Sequence, residues 1–200
     1  MCGRYLVEAD EMEMREIIAL AEKDACFSSA AAFTDGEVFP GNAAPVITAG
    51  RGARFMVWGY PALNAGRRPH INARSETAAA LKTFGGAMAA RRCVVPASGY
   101  FEWKALGKKS KEKYLFTLPG RALMHMAGIY SDDGRYAILT REAGPAFCGI
   151  HDRMPAIIPK ALVAVWLAGT PGVLGEAVTA LRFERVPEDA GLPEQLSLFQ

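Results

Sequence analysis

The chain has 200 residues, half of them hydrophobic and 22% charged, with a formal net charge of +2. These proportions suit one soluble domain large enough to bury a core. No run of 18 apolar residues exists, which excludes a membrane-spanning helix, and Glu8, Asp10, Glu11, Glu13 and Glu16 stand where a signal peptide would be apolar, so a cytoplasmic protein is expected.

In chain order, residues 4–8 read as a short strand. Asp10 is placed to cap a helix over about 11–24, with Met14, Ile17, Ile18 and Ala21 on one face. Residues 34–52, which contain Pro40-Gly41-Asn42 and Ala44-Pro45, read as loop, and 55–60 as a strand. Ser75 is placed to cap a short helix over 76–83 that Gly85-Gly86 would end. Strand patterns follow at 93–96, 100–104, 114–118, 124–130 and 136–140, and Asp132-Asp133-Gly134 joins the last two as a hairpin. Residues 159–167 and 171–181 read as helices with proline near their starts, and 183–186 as a final strand. Strands in the middle with helices at the flanks give the α+β class. Residues 1–190 are read as one domain and 191–200 as a tail.

The chemistry concentrates at four places. The chain begins Met1-Cys2-Gly3-Arg4-Tyr5. Removal of Met1 would leave a cysteine whose α-amine and thiol sit on adjacent carbons. An α-amine has a pKa of roughly 7.7–8.0, so much more of it is neutral near pH 7 than of a lysine amine. It can attack an aldehyde to give a Schiff base, and the thiol can then close a five-membered thiazolidine. Asn72 and Arg74 precede the helix expected at 76–83, where free N–H groups and a guanidinium would form an anion site. Glu102 lies inside the aromatic strand Gly99-Tyr100-Phe101-Glu102-Trp103. An apolar setting there would raise its pKa and suit it to general acid work, whereas an exposed position would leave it ordinary. His151, between Ile150 and Asp152, can transfer protons near neutral pH or serve a structural role.

Charge is unevenly spread. Residues 51–113 hold 13 Lys or Arg against Glu76, Glu102 and Glu112 alone. Such a segment suggests a polyanion-binding face, unless folding mixes the charges again. Within it, Lys104, Lys108, Lys109, Lys111 and Lys113 read as a hairpin tip near a nucleic acid or as a solvated loop. Cys2, Cys26, Cys93 and Cys148 form neither a CxxC pair nor a zinc spacing, so no metal or cofactor is expected. The last three are read as small buried hydrophobes.

The start Cys2-Gly3-Arg4-Tyr5, the block Asn72-Ala73-Arg74-Ser75-Glu76-Thr77, the run 91–103 and His151-Asp152-Arg153-Met154-Pro155 occur in this order. Residues 40–45 and Trp58-Gly59-Tyr60-Pro61 support them. Together these segments resemble the SRAP family, named for SOS-response-associated peptidase, from residue 2 to about 167. The resemblance implies a mixed, strongly curved or barrel-like β core flanked by helices. It also implies recognition of abasic sites in single-stranded DNA, with covalent attachment through the thiazolidine. Cys2 would then be the nucleophile and crosslinking residue, and Asn72 would orient the reacting groups. Glu102 would give general acid–base help, and His151 would move protons near the sugar, including in crosslink reversal. Arg4, Arg74 and Arg153 would hold phosphates, and Asn42 would lie at the DNA. Pro45 and Trp58 would stack on or wedge bases, their alternative being ordinary core packing. The family often has a second tryptophan shortly after Trp-Gly-x-x-Pro, and here Ala62-Leu63-Asn64 follows instead.

Gln195-Leu196-Ser197-Leu198-Phe199 resembles the bacterial sliding-clamp-binding pentapeptide. Gln195 would reach backbone groups while Leu196, Leu198 and Phe199 fill apolar pockets. The other reading of this tail is a segment folded back on its own core. Two rival functions stand beside the crosslinking, lyase-like one. The first is a cysteine peptidase with Cys2 as nucleophile and His151 as base, acting on its own initiator or on other proteins. The second is a non-catalytic, clamp-tethered binder of single-stranded DNA. A monomer is expected in each case.

Overall fold

The computed structural model describes residues 2–24, 33–50, 52–64, 66–107, 110–170 and 172–187. In chain order its elements are β1 (Arg4–Val7), α1 (Met12–Glu22), β2 (Gly36–Val38), β3 (Ala43–Thr48), β4 (Gly52–Trp58), β5 (Asn72–Arg74), α2 (Gly85–Ala90), β6 (Arg92–Ala97), β7 (Gly99–Ala105), β8 (Lys111–Thr117), β9 (Met124–Tyr130), β10 (Arg135–Glu142), β11 (Arg153–Pro155), α3 (Val163–Leu167) and β12 (Arg182–Val186).

Five strands close into a ring, in the order β10-β4-β3-β6-β9 and back to β10. An odd-numbered ring cannot be antiparallel throughout, and the exception is the parallel pair of β4 with β10. That seam is short, with only Arg135↔Val57 and Tyr136↔Trp58 in register. Where β4 leaves β10, β5 takes its place, again parallel, with Ile138↔Asn72, Leu139↔Ala73 and Thr140↔Arg74. Beyond β9, the far end of β10 pairs with β11. A second sheet runs β12-β8-β7-β1-β2 and is antiparallel throughout.

The period-2 alternation of the ring strands divides them between two apolar clusters. Cys93, Val95, Met126, Tyr136 and Ile138 join one core with Tyr5, Val7, Tyr100 and Phe116 of the second sheet. Their neighbours Val94, Ala127, Ile129, Ala137 and Leu139 face the opposite way and pack with Met88 of α2 and Trp166 of α3. The class is α+β, with a barrel-like core and helices laid outside it. No helix among the described residues is long and apolar enough to cross a membrane.

Most strands lie where the sequence pattern puts them, and β9 matches at both ends. Gly134, at φ +76°, turns the β9–β10 hairpin, and Ser131 N–H donates to Arg135 O at 2.8 Å. On α1, Met14, Ile17 and Ala21 are buried, but Glu11 takes the cap position and Asp10 does not. Residues 34–52, expected as loop, form β2 and β3. Pro45 lies beyond the stretch of β3 that pairs with β6, so its missing N–H costs no ladder bond there. The helix expected at 76–83 is only a 3₁₀ turn at Ala78–Ala80, and α2 starts at Gly85, where an end was expected. A Cβ at Gly85 would stand 2.8 Å from Ala79 O, so the glycine lets the turn fold back on the helix. Residues 160–162 form a 3₁₀ turn that runs into α3. The second late helix is reduced to a turn at Val173–Glu176, because Val178 N–H bonds Ile157 O at 2.7 Å and draws the chain along the barrel. Cys93 is buried as expected, Cys148 is exposed on a turn, and Cys26 lies outside the described residues.

Candidate functional site

Cys2 lies two residues before β1 and is fully buried. β1 pairs with β7 through Arg4↔Phe101 and Tyr5↔Tyr100. Continuing that register brings Glu102 alongside the Gly3–Cys2 segment. Glu102 lies on the same face of β7 as Tyr100, the face turned to the core, and is 3% exposed. Burial raises its carboxyl pKa above the ordinary value, against the opposing influence of positive charge that includes His151. The Cys2 thiol is raised as well, first by burial and then by the Glu102 charge, so at neutral pH it is a thiol.

Asn72 reaches Cys2 from the ring side. β5 fills the opening in the β4–β10 seam, and its first residue projects the side chain so that Nδ2 donates to the Cys2 carbonyl at 2.8 Å. Asn72 Oδ1 is buried and has no hydrogen-bond partner among the described residues. Trp58 Nε1 donates to Ile71 O at 2.8 Å and holds the entry to β5.

His151 completes the group from the segment before β11. Its Nδ1 is 2.8 Å from Asp152 Oδ1 and 3.0 Å from Arg153 N. Nδ1 accepts from the Arg153 N–H when unprotonated and donates to Asp152 when protonated, so either state has a partner. Cys2, Asn72, Glu102 and His151, read from four separate segments, thus converge. Among the described residues no three His, Cys, Asp or Glu side chains gather as a metal site.

The expected phosphate and base contacts fare differently. The Arg153 guanidinium is engaged in a fork with Glu76, at 2.9 and 2.8 Å, and also donates to Thr140 O at 2.6 Å. That pairing holds the Glu76 carboxyl down to about 2. Arg74 is exposed at the end of β5. It stands in a strand before a 3₁₀ turn, so no helix N-terminus lies beside it and that part of the sequence reading is corrected. Arg4 bonds Glu37 at 3.3 Å and lies over the Phe39 and Trp103 rings, 4.4 and 5.0 Å from their centroids. Lys113 also pairs with Glu37 and lies over Phe101 at 4.0 Å. Cations and aromatic rings therefore alternate on the outer face of β1, β7 and β8. Lys104 and Lys111 belong to the same hairpin, which Leu106 N–H closes to Ser110 O at 2.9 Å; Lys108 and Lys109 lie outside the described residues.

Pro45 and Trp58 are both buried, Trp58 being 1% exposed with its ring set edge-on to Tyr5 at 5.1 Å. Asn42 is exposed, but its Oδ1 accepts from Phe39 N–H at 2.9 Å and fixes the turn before β3. A groove of about 520 Å³ opens beside that turn, lined by Pro40, Trp58, Pro69 and Ile71 together with Arg68 and Arg135. Glu76 is a contributor to which the sequence assigned no role, although it belongs to the Asn72–Thr77 block and is one of three acids in a strongly basic segment. Phe147, which anchors the His151 loop by burial, has no such signal. The pentapeptide Gln195–Phe199 lies outside the described residues.

A family model described as SOS response associated peptidase (SRAP) matches residues 1–188. Abasic site processing protein YoaM of Bacillus subtilis is 33% identical over 105 residues, which are 48% of this chain and 46% of that protein. Abasic site processing protein YedK of Escherichia coli is 32% identical over 119 residues, 56% of this chain and 53% of that one. The chain thus spans about half the length of the curated relatives it matches. A solved structure from Bacteroides thetaiotaomicron superposes with a TM-score of 0.73 at 21% identity, covering 94% of this chain and 93% of that one. A phage-related protein of Bordetella bronchiseptica gives 0.72 at 22% identity, covering 95% and 96%. At these identities the two structures speak for the shared fold alone.

Proposed function

The chain belongs to the SOS response associated peptidase (SRAP) family, and on that premise we propose that it captures abasic sites in single-stranded DNA as a covalent thiazolidine on Cys2. Support comes first from the relatives named as abasic site processing proteins. The observation that carries the reading is the Asn72 hydrogen bond to the Cys2 carbonyl, with Glu102 beside the same residue and His151 beside Glu102. Holding that carbonyl fixes Cys2 by its backbone and leaves its amine and thiol as the reacting groups.

The proposed reaction begins after loss of Met1. The Cys2 amine adds to the aldehyde carbon of the ring-opened sugar, and water leaves to give an imine. Sγ then bonds to that carbon while the thiol proton goes to nitrogen. One water is released for each adduct, and no oxidant or reductant is required. Glu102, whose pKa burial raises, in its acid form supplies a proton to the departing hydroxyl and as carboxylate relieves the thiol of its proton. His151 moves protons at the sugar oxygen. Arg4, Lys113 and Arg74 supply positive charge along the approach, where phosphate contacts give affinity without sequence preference.

Mature protein incubated with single-stranded DNA carrying one abasic site should give a band shifted on a denaturing gel, and Cys2→Ala should abolish it. Absence of the band with a verified N-terminal cysteine would overturn the reading. Cleavage of a protein substrate would favour a peptidase instead, and salt-sensitive binding without an adduct would favour a simple binder.

A further inference from the structure

His151 sits at the end of an irregular segment, and one side chain anchors that segment. Between Glu142 and Asp152 only Phe147 is buried. Its carbonyl accepts from Ile150 N–H at 2.8 Å and from His151 N–H at 3.2 Å, so the backbone of the histidine hangs on the backbone of Phe147. The Phe147 ring, in turn, stands edge-on to Phe116 of β8 at 5.7 Å and to Phe183 of β12 at 5.9 Å. Phe183 stacks on Phe116 at 5.5 Å, and Phe116 stacks on Tyr100 at 4.8 Å with planes 9° apart. Tyr100 is two residues from Glu102 on the same face of β7.

We propose that Phe147 and Phe183 are positioning residues for His151, so that the edge strand β12 forms part of the site although it touches none of the reacting groups. Phe116 is fixed inside its sheet between Tyr100 and the core. Phe183 lies on the outermost strand, is 44% exposed and supplies the second wall of the corner that receives Phe147. Edge-to-face ring pairs of this kind hold their partners in place beyond what buried area alone provides. Removing one wall lets the Phe147 ring, and with it the 147–151 turn, shift by part of an ångström. Displacements of that size are enough to slow a proton transfer that depends on a hydrogen bond of fixed length.

The kinetic arm of the test rests on the proposed crosslinking reaction, and the spectroscopic arm does not. In the first, crosslinking rates are measured for Phe183→Ala and Phe183→Tyr, each with and without His151→Ala. Phe183→Ala is expected to slow adduct formation or reversal roughly three- to tenfold and to do nothing further once His151 is absent. Phe183→Tyr, which keeps the ring, is expected to restore the rate. Equal slowing in both backgrounds, or no slowing in either, would overturn the proposal. In the second arm, the three imidazoles are followed by NMR through a pH titration. The His151 signal and its midpoint should move in Phe183→Ala and Phe147→Leu, while those of His70 and His125 stay in place. An unmoved His151 signal, or equal movement of all three, would overturn the proposal. If the wild-type protein forms no adduct, the reaction assigned above fails and the imidazole result still decides the positioning role.

Discussion

Glu102 shows how burial sets chemistry at a single residue. Its carboxyl is displaced upward because the fold hides it from water, and nearby positive charge recovers only part of the loss. A carboxyl whose folded pKa lies above its ordinary 4.5 binds its proton more tightly in the folded state. Stability is therefore greatest below 4.5 and declines as pH rises toward the folded value. Glu102→Gln is expected to remove that decline, leaving the protein at least as stable at pH 7 by urea titration. The same change should slow adduct formation about 100-fold, within the usual range for a lost general acid or base. A variant that is both less stable and fully active would show that the carboxyl has a structural role only. The pattern of one acid in an aromatic strand already marked this residue in the sequence. Its depth did not show there, because the burial comes from β1 and the ring, which meet β7 only in the fold.

Among elements, β5 and β11 carry the site and were the hardest to read. Each has three residues, too few for a period-2 pattern to register. β5 exists because the β4–β10 seam is short and leaves part of β10 without a partner on that side. Nothing within Asn72–Arg74 announces that vacancy, so the segment reads as the approach to a helix. Asn72 was legible as a polar group in a family motif, and its bond to Cys2 was not, since it spans 70 residues. The Arg153–Glu76 fork ties β11 to the turn after β5 and so braces both segments. Glu76 is lowered to about 2, which makes its contribution present above 4.5 and lost as pH falls toward 2. The Glu76 side chain is 45% exposed, so solvent screening reduces the pair to about 1 kcal/mol. Glu76→Gln should cost that amount at pH 7 and flatten the acid limb of the stability curve. An unchanged acid limb would mean that the fork contributes nothing.

At the scale of the whole molecule, the closed ring gives the site its rigidity. The long strands β6, β9 and β10 were legible because apolar residues on both faces give nearly continuous hydrophobic runs. Ring closure and its one parallel pairing were not, since register between distant strands leaves no local mark. Gly128 reports on the closure. It sits on β9 between β6 and β10, and a Cβ there would stand 2.9 Å from Cys93 Sγ and 3.0 Å from Ala137 O. Gly128→Ala is expected to destabilise the fold by about 1–3 kcal/mol, the usual cost of overpacking, read as a lower urea midpoint with unchanged slope. A midpoint equal to wild type would mean that the ring has slack at this position.

In the proposed reaction one residue, Cys2, supplies both nucleophiles. Mass spectrometry of the adduct formed on an abasic oligonucleotide, after digestion of protein and DNA, tests this most directly. The N-terminal peptide should carry the sugar remnant with loss of one water, its Cys2 thiol should resist alkylation, and borohydride should add no hydrogen to it. An adduct on a lysine, an alkylatable Cys2 thiol in the adduct, or a mass that rises on reduction would mean that Cys2 does not supply both nucleophiles.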